Sequence, residues 1–246
     1  MSVRFRFLGC GDAFGSGGRF QTCFHLAGSS GAVLIDCGAS SMVAIRRFGV
    51  DPNAIDAVLV THLHGDHFAG LPFFLLDAQL VSRRTRPLAI AGPPGLKDRL
   101  GEAMEVLFPG SSTVERRFAV TETELPAGVA TAVGPVRVTP YEMVHWCGAP
   151  PYALRVELDG RVVTYTGDTE WVDAIVLAAR DADLFVAEAY FHDRRVKYHL
   201  DWATLARHLP TIGAKRVVLT HFSPDMLGRV APDGVELAED GLELAL

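Results

Sequence analysis

The segment Thr61-His62-Leu63-His64-Gly65-Asp66-His67 packs three imidazoles and a carboxylate into six residues, directly after the apolar run Ala57 to Val60. Imidazole nitrogens and carboxylate oxygens are the donors that suit zinc, iron or manganese, and the lack of thiolates in the cluster argues against a closed structural zinc site. Gly65 permits the tight turn that a strand-end loop needs. Alternation sends His62 and His64 to one side while Asp66 and His67 can turn toward a second position, an arrangement that fits two adjacent metals. The plainer reading is a polar loop that happens to be rich in histidine. Two later apolar runs end in a similar way, Val162-Val163-Thr164-Tyr165-Thr166-Gly167-Asp168 and Val217-Val218-Leu219-Thr220-His221. Open α/β architectures place sites outside the carboxyl ends of strands, so His62, Asp168 and His221 are expected at one rim, joined by His145 after Val138 to Val144.

The elements that must carry these residues are short. Apolar, β-branched runs mark strands at Val3 to Leu8, Ala32 to Ile35, Ala57 to Val60, Leu88 to Ala91, Val136 to Thr139, Ala153 to Leu158, Val162 to Thr166, Leu184 to Ala187 and Val217 to Thr220. Helical patterns cover Ser40 to Phe48, Pro72 to Val81, Gly95 to Phe108, Val172 to Ala179 and Trp202 to Leu209, with Asp201 as N-cap of the last. In Gly95 to Phe108 the apolar residues Leu96, Leu100, Met104 and Leu107 recur at helical spacing. Strands interleaved with helices place the chain in the α/β class, and the strand-rich opening and middle favour a pair of sheets flanked by helices over a Rossmann sheet. At 246 residues, 49% hydrophobic and 21% charged, the chain can bury a large core, and residues 1–246 read as one unit without repeats or linkers. A net charge of −6 opposes non-specific attraction to polyanions. The four cysteines, Cys10, Cys23, Cys37 and Cys147, show no C-x-x-C spacing, which fits a reducing compartment. Apolar stretches such as Leu71 to Leu76 fall far short of the ~20 residues that cross a bilayer. The opening Met1-Ser2-Val3-Arg4 lacks the apolar core of a signal peptide, so the expected location is the cytoplasm, with no membrane partner.

Together these residues resemble the metallo-β-lactamase superfamily over nearly the whole chain. His62-x-His64-x-Asp66-His67 looks like its signature motif, and His145, Asp168 and His221 stand at the positions of its later ligands. The resemblance implies an αββα four-layer sandwich, two β-sheets face to face with helices outside. It also implies two divalent metal ions, Zn2+ first, with Mn2+ or Fe2+ as alternatives. His62, His64 and His145 would hold one ion, Asp66, His67 and His221 the other, and Asp168 would bridge them. A hydroxide between the metals is the implied nucleophile, and Asp66 could also orient that water through its second oxygen.

Within the superfamily the nearer resemblance is to the ribonuclease Z-like phosphodiesterase branch. It is carried by Gly92-Pro93-Pro94-Gly95-Leu96, Ala187-Glu188-Ala189, His199 and Leu219-Thr220-His221-Phe222-Ser223-Pro224. It implies that His199, oriented by Glu188, donates a proton to the leaving group, and that the chain forms a homodimer. A carboxylate accepting from one imidazole nitrogen raises its basicity and leaves the other nitrogen to act as acid. Members that process tRNA carry a long flexible arm before the bridging aspartate; here only a strand pair and a turn fit between His145 and Asp168. The expected function is therefore a dinuclear-metal hydrolase acting on a small or cyclic phosphodiester. RNA cleavage of the ribonuclease Z kind, ester, thioester or lactone hydrolysis at the same site, and iron-dependent redox chemistry stand as alternatives, with a catalytically silent binding protein behind them.

Other features carry less. The opening Leu8-Gly9-Cys10-Gly11-Asp12-Ala13-Phe14-Gly15-Ser16-Gly17-Gly18-Arg19 has no Walker lysine, although its backbone and Arg19 could meet a substrate phosphate. The basic runs Arg83-Arg84-Thr85-Arg86 and Arg194-Arg195-Val196-Lys197 read as solvated faces, the second being the better placed to meet an anionic substrate. Trp146 and Cys147 are divided evenly between pocket lining and core. His25, His192 and His208 read as structural.

Overall fold

The computed structural model describes residues 2–246. In chain order the strands are β1 (Arg4–Gly9), β2 (Cys23–Ala27), β3 (Ala32–Ile35), β4 (Ala57–Leu59), β5 (Leu88–Gly92), β6 (Val120–Glu124), β7 (Thr131–Val133), β8 (Val136–Glu142), β9 (Tyr152–Leu158), β10 (Arg161–Tyr165), β11 (Leu184–Glu188), β12 (Val217–Thr220), β13 (Glu236–Leu237) and β14 (Glu243–Ala245). The α-helices are α1 (Ser41–Arg47), α2 (Gly65–Phe68), α3 (Leu71–Leu80), α4 (Leu96–Leu107), α5 (Ala174–Ala179) and α6 (Trp202–Ile212). The strands form two seven-stranded sheets, ordered β14-β1-β2-β3-β4-β5-β6 and β13-β12-β11-β10-β9-β8-β7. Each is mixed: β3 to β6 run parallel in the first, and β10 to β13 in the second.

Alternation along the strands decides the layering. Phe5, Phe7 and Phe24 on the first sheet meet Leu154, Val156 and Tyr165 on the second in one buried cluster. Phe24 and Tyr165 close edge to face across the gap, with ring centroids 4.9 Å apart, a favourable aromatic geometry. The other face of the first sheet, including Leu34, Val58 and Ile90, packs on Ala44, Phe74 and Leu100 of α1, α3 and α4. The outer face of the second, including Phe185 and Leu219, packs on Ile175 of α5 and Leu205 of α6. The result is the four-layer αββα order that the resemblance implied.

All nine anticipated strands form, within about three residues at each end, and all five anticipated helices are present. The N-cap reading holds, since the Asp201 carboxylate accepts from Thr204 N at 2.8 Å. Leu107 departs from the expected inward stripe of α4: Leu96, Leu100 and Met104 are buried, while Leu107 is exposed at the last turn. The solvated-face reading of Arg83 to Arg86 also needs correction. Arg84 is buried, because its guanidinium donates to the carbonyls of Pro52, Ile55, Arg86 and Pro87 and so replaces its water shell with four acceptors. No helix among the described residues is long and apolar enough to cross a membrane.

Candidate metal centre

The site lies where strand ends of the two sheets meet, and three backbone features shape it. Tyr152 N donates to Thr61 O at 3.0 Å, tying the start of β9 to the end of β4. Gly167, immediately before Asp168, has φ +59, and a Cβ there would stand 2.8 Å from Tyr152 O, so the turn out of β10 needs glycine. Gly38 lies under α2, and a Cβ on it would meet Asp66 O, so the loop after β3 and the short helix that carries Asp66 and His67 can touch only through glycine. Cys37 N and Ala39 N donate to the carbonyls of His67 and Gly65, pinning that helix.

The anticipated ligands converge in two groups. His62, His64 and His145 bring one nitrogen each to a common point, as do Asp66, His67, Asp168 and His221 with their own donor atoms. Asp168 faces both groups: Oδ2 lies 3.9 Å from His62 Nε2, 3.9 Å from His145 Nε2 and 3.5 Å from His221 Nε2, and Oδ1 lies 3.3 Å from His67 Nε2. His145 Nε2 and His64 Nδ1 are 2.9 Å apart. Of these residues only His64 is more than slightly exposed.

Whether cations fit can be tested on the donor atoms themselves. His62 Nε2, His67 Nε2, Asp168 Oδ1 and His221 Nδ1 are buried without a hydrogen-bond partner. Such groups are costly unless something else satisfies them. Three of the four point into the two clusters, and the opposite nitrogens of the same rings are already held. His67 Nδ1 donates to Asp36 Oδ2 at 2.7 Å, His145 Nδ1 donates to Tyr198 O at 2.8 Å, and His62 Nδ1 lies 3.1 Å from Thr61 Oγ1. Fixing one ring nitrogen in this way turns the other toward a metal. Tyr198 adopts φ +72 to present that carbonyl, and His221 itself sits at φ +61. Backbone conformations unfavourable for side chains are kept where the surroundings enforce them. The residues present fit two divalent cations.

The charges of the protein alone point the same way. Burial holds His62 well below its ordinary range and His145 at about 4. Burial also opposes charge on His67 and His221, but Asp168 and Asp66 outweigh it and raise both. Asp66 and Asp168 are held low by the histidines around them, against the effect of burial.

Beside the clusters, His199 Nδ1 donates to Glu188 Oε2 at 2.9 Å. Glu188, at the end of β11, is fully buried, and its other oxygen accepts from Thr169 N and from Leu200 N at 3.2 Å. Burial and the nearby Asp168 raise the Glu188 carboxyl. Burial works against charge on His199, yet the Glu188 carboxylate raises the imidazole to about 9. His199 Nε2 has no partner among the described residues, and the ring lines a cavity of about 200 Å³ together with His64, Asp66, His145, Asp168 and His221. Ala13, Phe14 and Tyr190 form its other walls.

Not every sequence candidate arrives there. Arg19 does not line the cavity; its guanidinium donates to Ala238 O at 2.7 Å and lies over the Phe222 ring. Trp146 is exposed and Cys147 buried, and neither lines the cavity. The sequence reading missed Asp36. Its carboxylate accepts from Thr61 N and Oγ1 and from His67 Nδ1, and burial raises its pKa against the pull of His67. Asp36 follows the apolar strand Ala32 to Ile35, so the pattern that singled out Asp168 was available there too.

Residues 3–238 match the family model described as "Anti-Pycsar protein Apyc1". Ribonuclease Z of Geobacillus kaustophilus is 29% identical, over 86% of this chain and 84% of that protein. Among solved structures, the short form of human tRNase Z superposes with a TM-score of 0.80 at 28% identity, covering 98% of both chains. The metallo-β-lactamase fold protein YhfI of Bacillus subtilis gives 0.78 at 20% identity over the full length of both chains. The chain thus has the metallo-β-lactamase fold, with candidate metal clusters at its strand ends.

Proposed function

The chain belongs to the family of the anti-Pycsar protein Apyc1, and from that premise we propose that it is a dinuclear metal-dependent phosphodiesterase acting on a small or cyclic phosphodiester. The observation that carries this reading is the set of buried, unpartnered donor atoms on His62, His67 and Asp168, directed into two clusters next to an imidazole poised as an acid. His62, His64 and His145 would hold one ion, Asp66, His67 and His221 the other, and Asp168 both. Two bound divalent ions supply Lewis acidity, polarising phosphoryl oxygens and making water nucleophilic near neutral pH. Zinc is the first expectation for this nitrogen and oxygen donor set, with manganese and iron next.

The chain's own residues then divide the work. Hydrolysis forms a bond from water oxygen to phosphorus and breaks the bond to the leaving oxygen, which must take up a proton. His199 donates it from Nε2, while Glu188 holds Nδ1 and keeps the ring cationic. Asp66 has a second oxygen free to accept from the attacking water, since Oδ2 is the atom near His67 and His221.

Cleavage of RNA, the activity in the name of the ribonuclease Z relatives, is the second reading. What weighs against it is the stretch between His145 and Asp168, spent on the hairpin β9 and β10 with its two-residue Asp159-Gly160 turn. That leaves no arm to clamp a folded RNA, and the net charge of −6 gives no general attraction to one. Metal analysis, coupled to assays on bis(p-nitrophenyl) phosphate, p-nitrophenyl acetate and a tRNA precursor before and after chelation, tests the proposal. Metal-dependent cleavage of the phosphodiester ahead of the other two is expected. A single iron without phosphodiesterase activity overturns the mechanism.

A further inference from the structure

A second recess, of about 290 Å³, shares only His199 with the cavity at the metal clusters. Its volume is near the lower end of the ~300–1,000 Å³ usual for small-molecule sites, so it suits one small group. The loop leading to His199 contributes Arg195, and the first turns of α6 contribute Thr204, Arg207 and His208, which share a helix face at the spacing i, i+3 and i+4. His208 stacks on Trp171, ring centroids 3.8 Å apart and nearly parallel, closing one wall.

The lining carries two arginines and two carboxylates, and they differ in what they touch. Neither Arg195 nor Arg207 is paired with a carboxylate among the described residues, and the acids that line the recess are already engaged. Asp201 is buried and accepts from Thr204 N at 2.8 Å and Thr204 Oγ1 at 2.7 Å. Glu170 accepts from Tyr198 N at 2.9 Å. Thr204 Oγ1 in turn accepts from Arg207 Nη2 at 3.0 Å, so a buried chain from Asp201 through Thr204 holds one edge of the Arg207 guanidinium and leaves its remaining donors for a ligand.

We propose that this recess is an anion subsite on the leaving-group side of the reaction, taking a phosphate or carboxylate carried by the group that His199 protonates. The proposal rests on the phosphodiesterase reading for the position of the leaving oxygen, which must lie within reach of His199, a wall of both cavities. Arg207 presents a planar fork matched to an oxyanion, and Arg195 adds a second positive charge. An added carboxylate on the leaving side should therefore strengthen binding by about tenfold at low salt, and less as ionic strength rises.

The test is titration calorimetry on metal-loaded protein with two methyl(alkyl)phosphinates, in which carbon replaces the leaving oxygen and no P–O ester bond remains to be cleaved, one with a neutral alkyl chain and one with the same chain ending in a carboxylate. A third probe ends in a phosphate, which separates the two anion sources. Tighter binding of the charged probes in the wild type is expected, falling to parity in Arg195→Ala/Arg207→Ala and only in part in Arg207→Lys. Equal affinities for neutral and charged probes in the wild type overturn the subsite, as does a preference that survives the double substitution. Turnover of the parent diesters, measured on the same preparations, separates the two claims: a charge preference without phosphodiester hydrolysis keeps the subsite and sinks the phosphodiesterase reading.

Discussion

Glu188→Gln isolates the charge that sets the acid. The substitution keeps the side chain's shape and an acceptor for Thr169 N and Leu200 N, but removes the carboxylate that raises His199 to about 9 from an ordinary 6.5. Without it, burial and the remaining neighbours leave the imidazole at or below its ordinary range. With limbs at about 9 and 6.5 the protonated fraction at pH 8 falls from ~0.9 to ~0.03, a loss of about 30-fold in turnover that shrinks to under about twofold once the pH lies below both limbs. Bound divalent ions lower both limbs together, so the separation of ~2.5 pH units between wild type and variant is the quantity to read. The assay is kcat against pH on an alkyl phosphodiester, whose leaving alkoxide needs the proton. Bis(p-nitrophenyl) phosphate, with a stable leaving anion, serves as the control and should show a much smaller difference. Superposable profiles of kcat against pH for wild type and variant on the alkyl substrate, with unchanged melting temperature, would refute the role given to Glu188.

Four further outcomes follow from the same geometry. His199→Ala should lower turnover of an alkyl diester by about 10²–10⁴ while metal content stays near two ions per chain, and loss of metal in that variant would remove His199 from the acid's role. Asp36→Asn, which weakens the hold on His67 Nδ1, should lower metal affinity by about 10–100-fold in a chelator competition; unchanged affinity would reduce Asp36 to a packing residue. Metal uptake should release protons, because His67 and His221 are raised by Asp66 and Asp168 and must present bare lone pairs to a cation. A weakly buffered titration at pH 6.5 showing no acidification would contradict this. His25, half-buried with its Nε2 enclosed and unpartnered, is lowered by burial to about 4, so between about 4 and 6.5 the unfolded chain binds the extra proton and stability falls as pH falls. His25→Gln should flatten the melting temperature across that window, and an unaltered slope would mean that other groups set it.

What the sequence reveals and what it hides follow from where residues sit in the sandwich. The nine anticipated strands are all interior to their sheets, and those packed on both faces read as continuous apolar runs such as Val217 to Thr220. Four of the five missed strands, β6, β7, β13 and β14, are the outermost strands of the two sheets. An edge strand buries little, and β6 accordingly reads Val-Thr-Glu-Thr-Glu. The fifth, β2, is interior, but His25 and the glycines and serines that follow it break its pattern. The candidate ligands were legible because chemistry fixes their residue types. Asp36 carried the same strand-end signal as Asp168 but no sign of its partner, and the carbonyl of Tyr198 carried none, because both meet the candidate histidines through hydrogen bonds between segments distant in sequence, Tyr198 to His145 above all. Arg84 misled for a similar reason. A run of basic residues signals solvent until a fold supplies enough carbonyls to take one of them inside.

The distribution of buried charge explains why these scattered residues form one working unit. Asp36, Asp66, Asp168 and Glu188 are all buried around a single cavity wall, and the same burial is felt differently by each according to its neighbours. Asp66 and Asp168, facing the histidine clusters, are held ionised. Asp36 and Glu188, set behind a histidine each, are raised by burial and steady the far nitrogen of that ring. The inner pair concentrates negative charge where cations would sit, and the outer pair orients imidazoles. In His67 the oriented ring turns its free nitrogen toward the inner carboxylates, while in His199 the free nitrogen opens to the cavity. Under the proposed function a difference in direction alone separates a ligand from an acid, and the two histidine–carboxylate pairs, alike in chemistry, take different work from the strand ends, after β3 and at the end of β11, that carry Asp36 and Glu188.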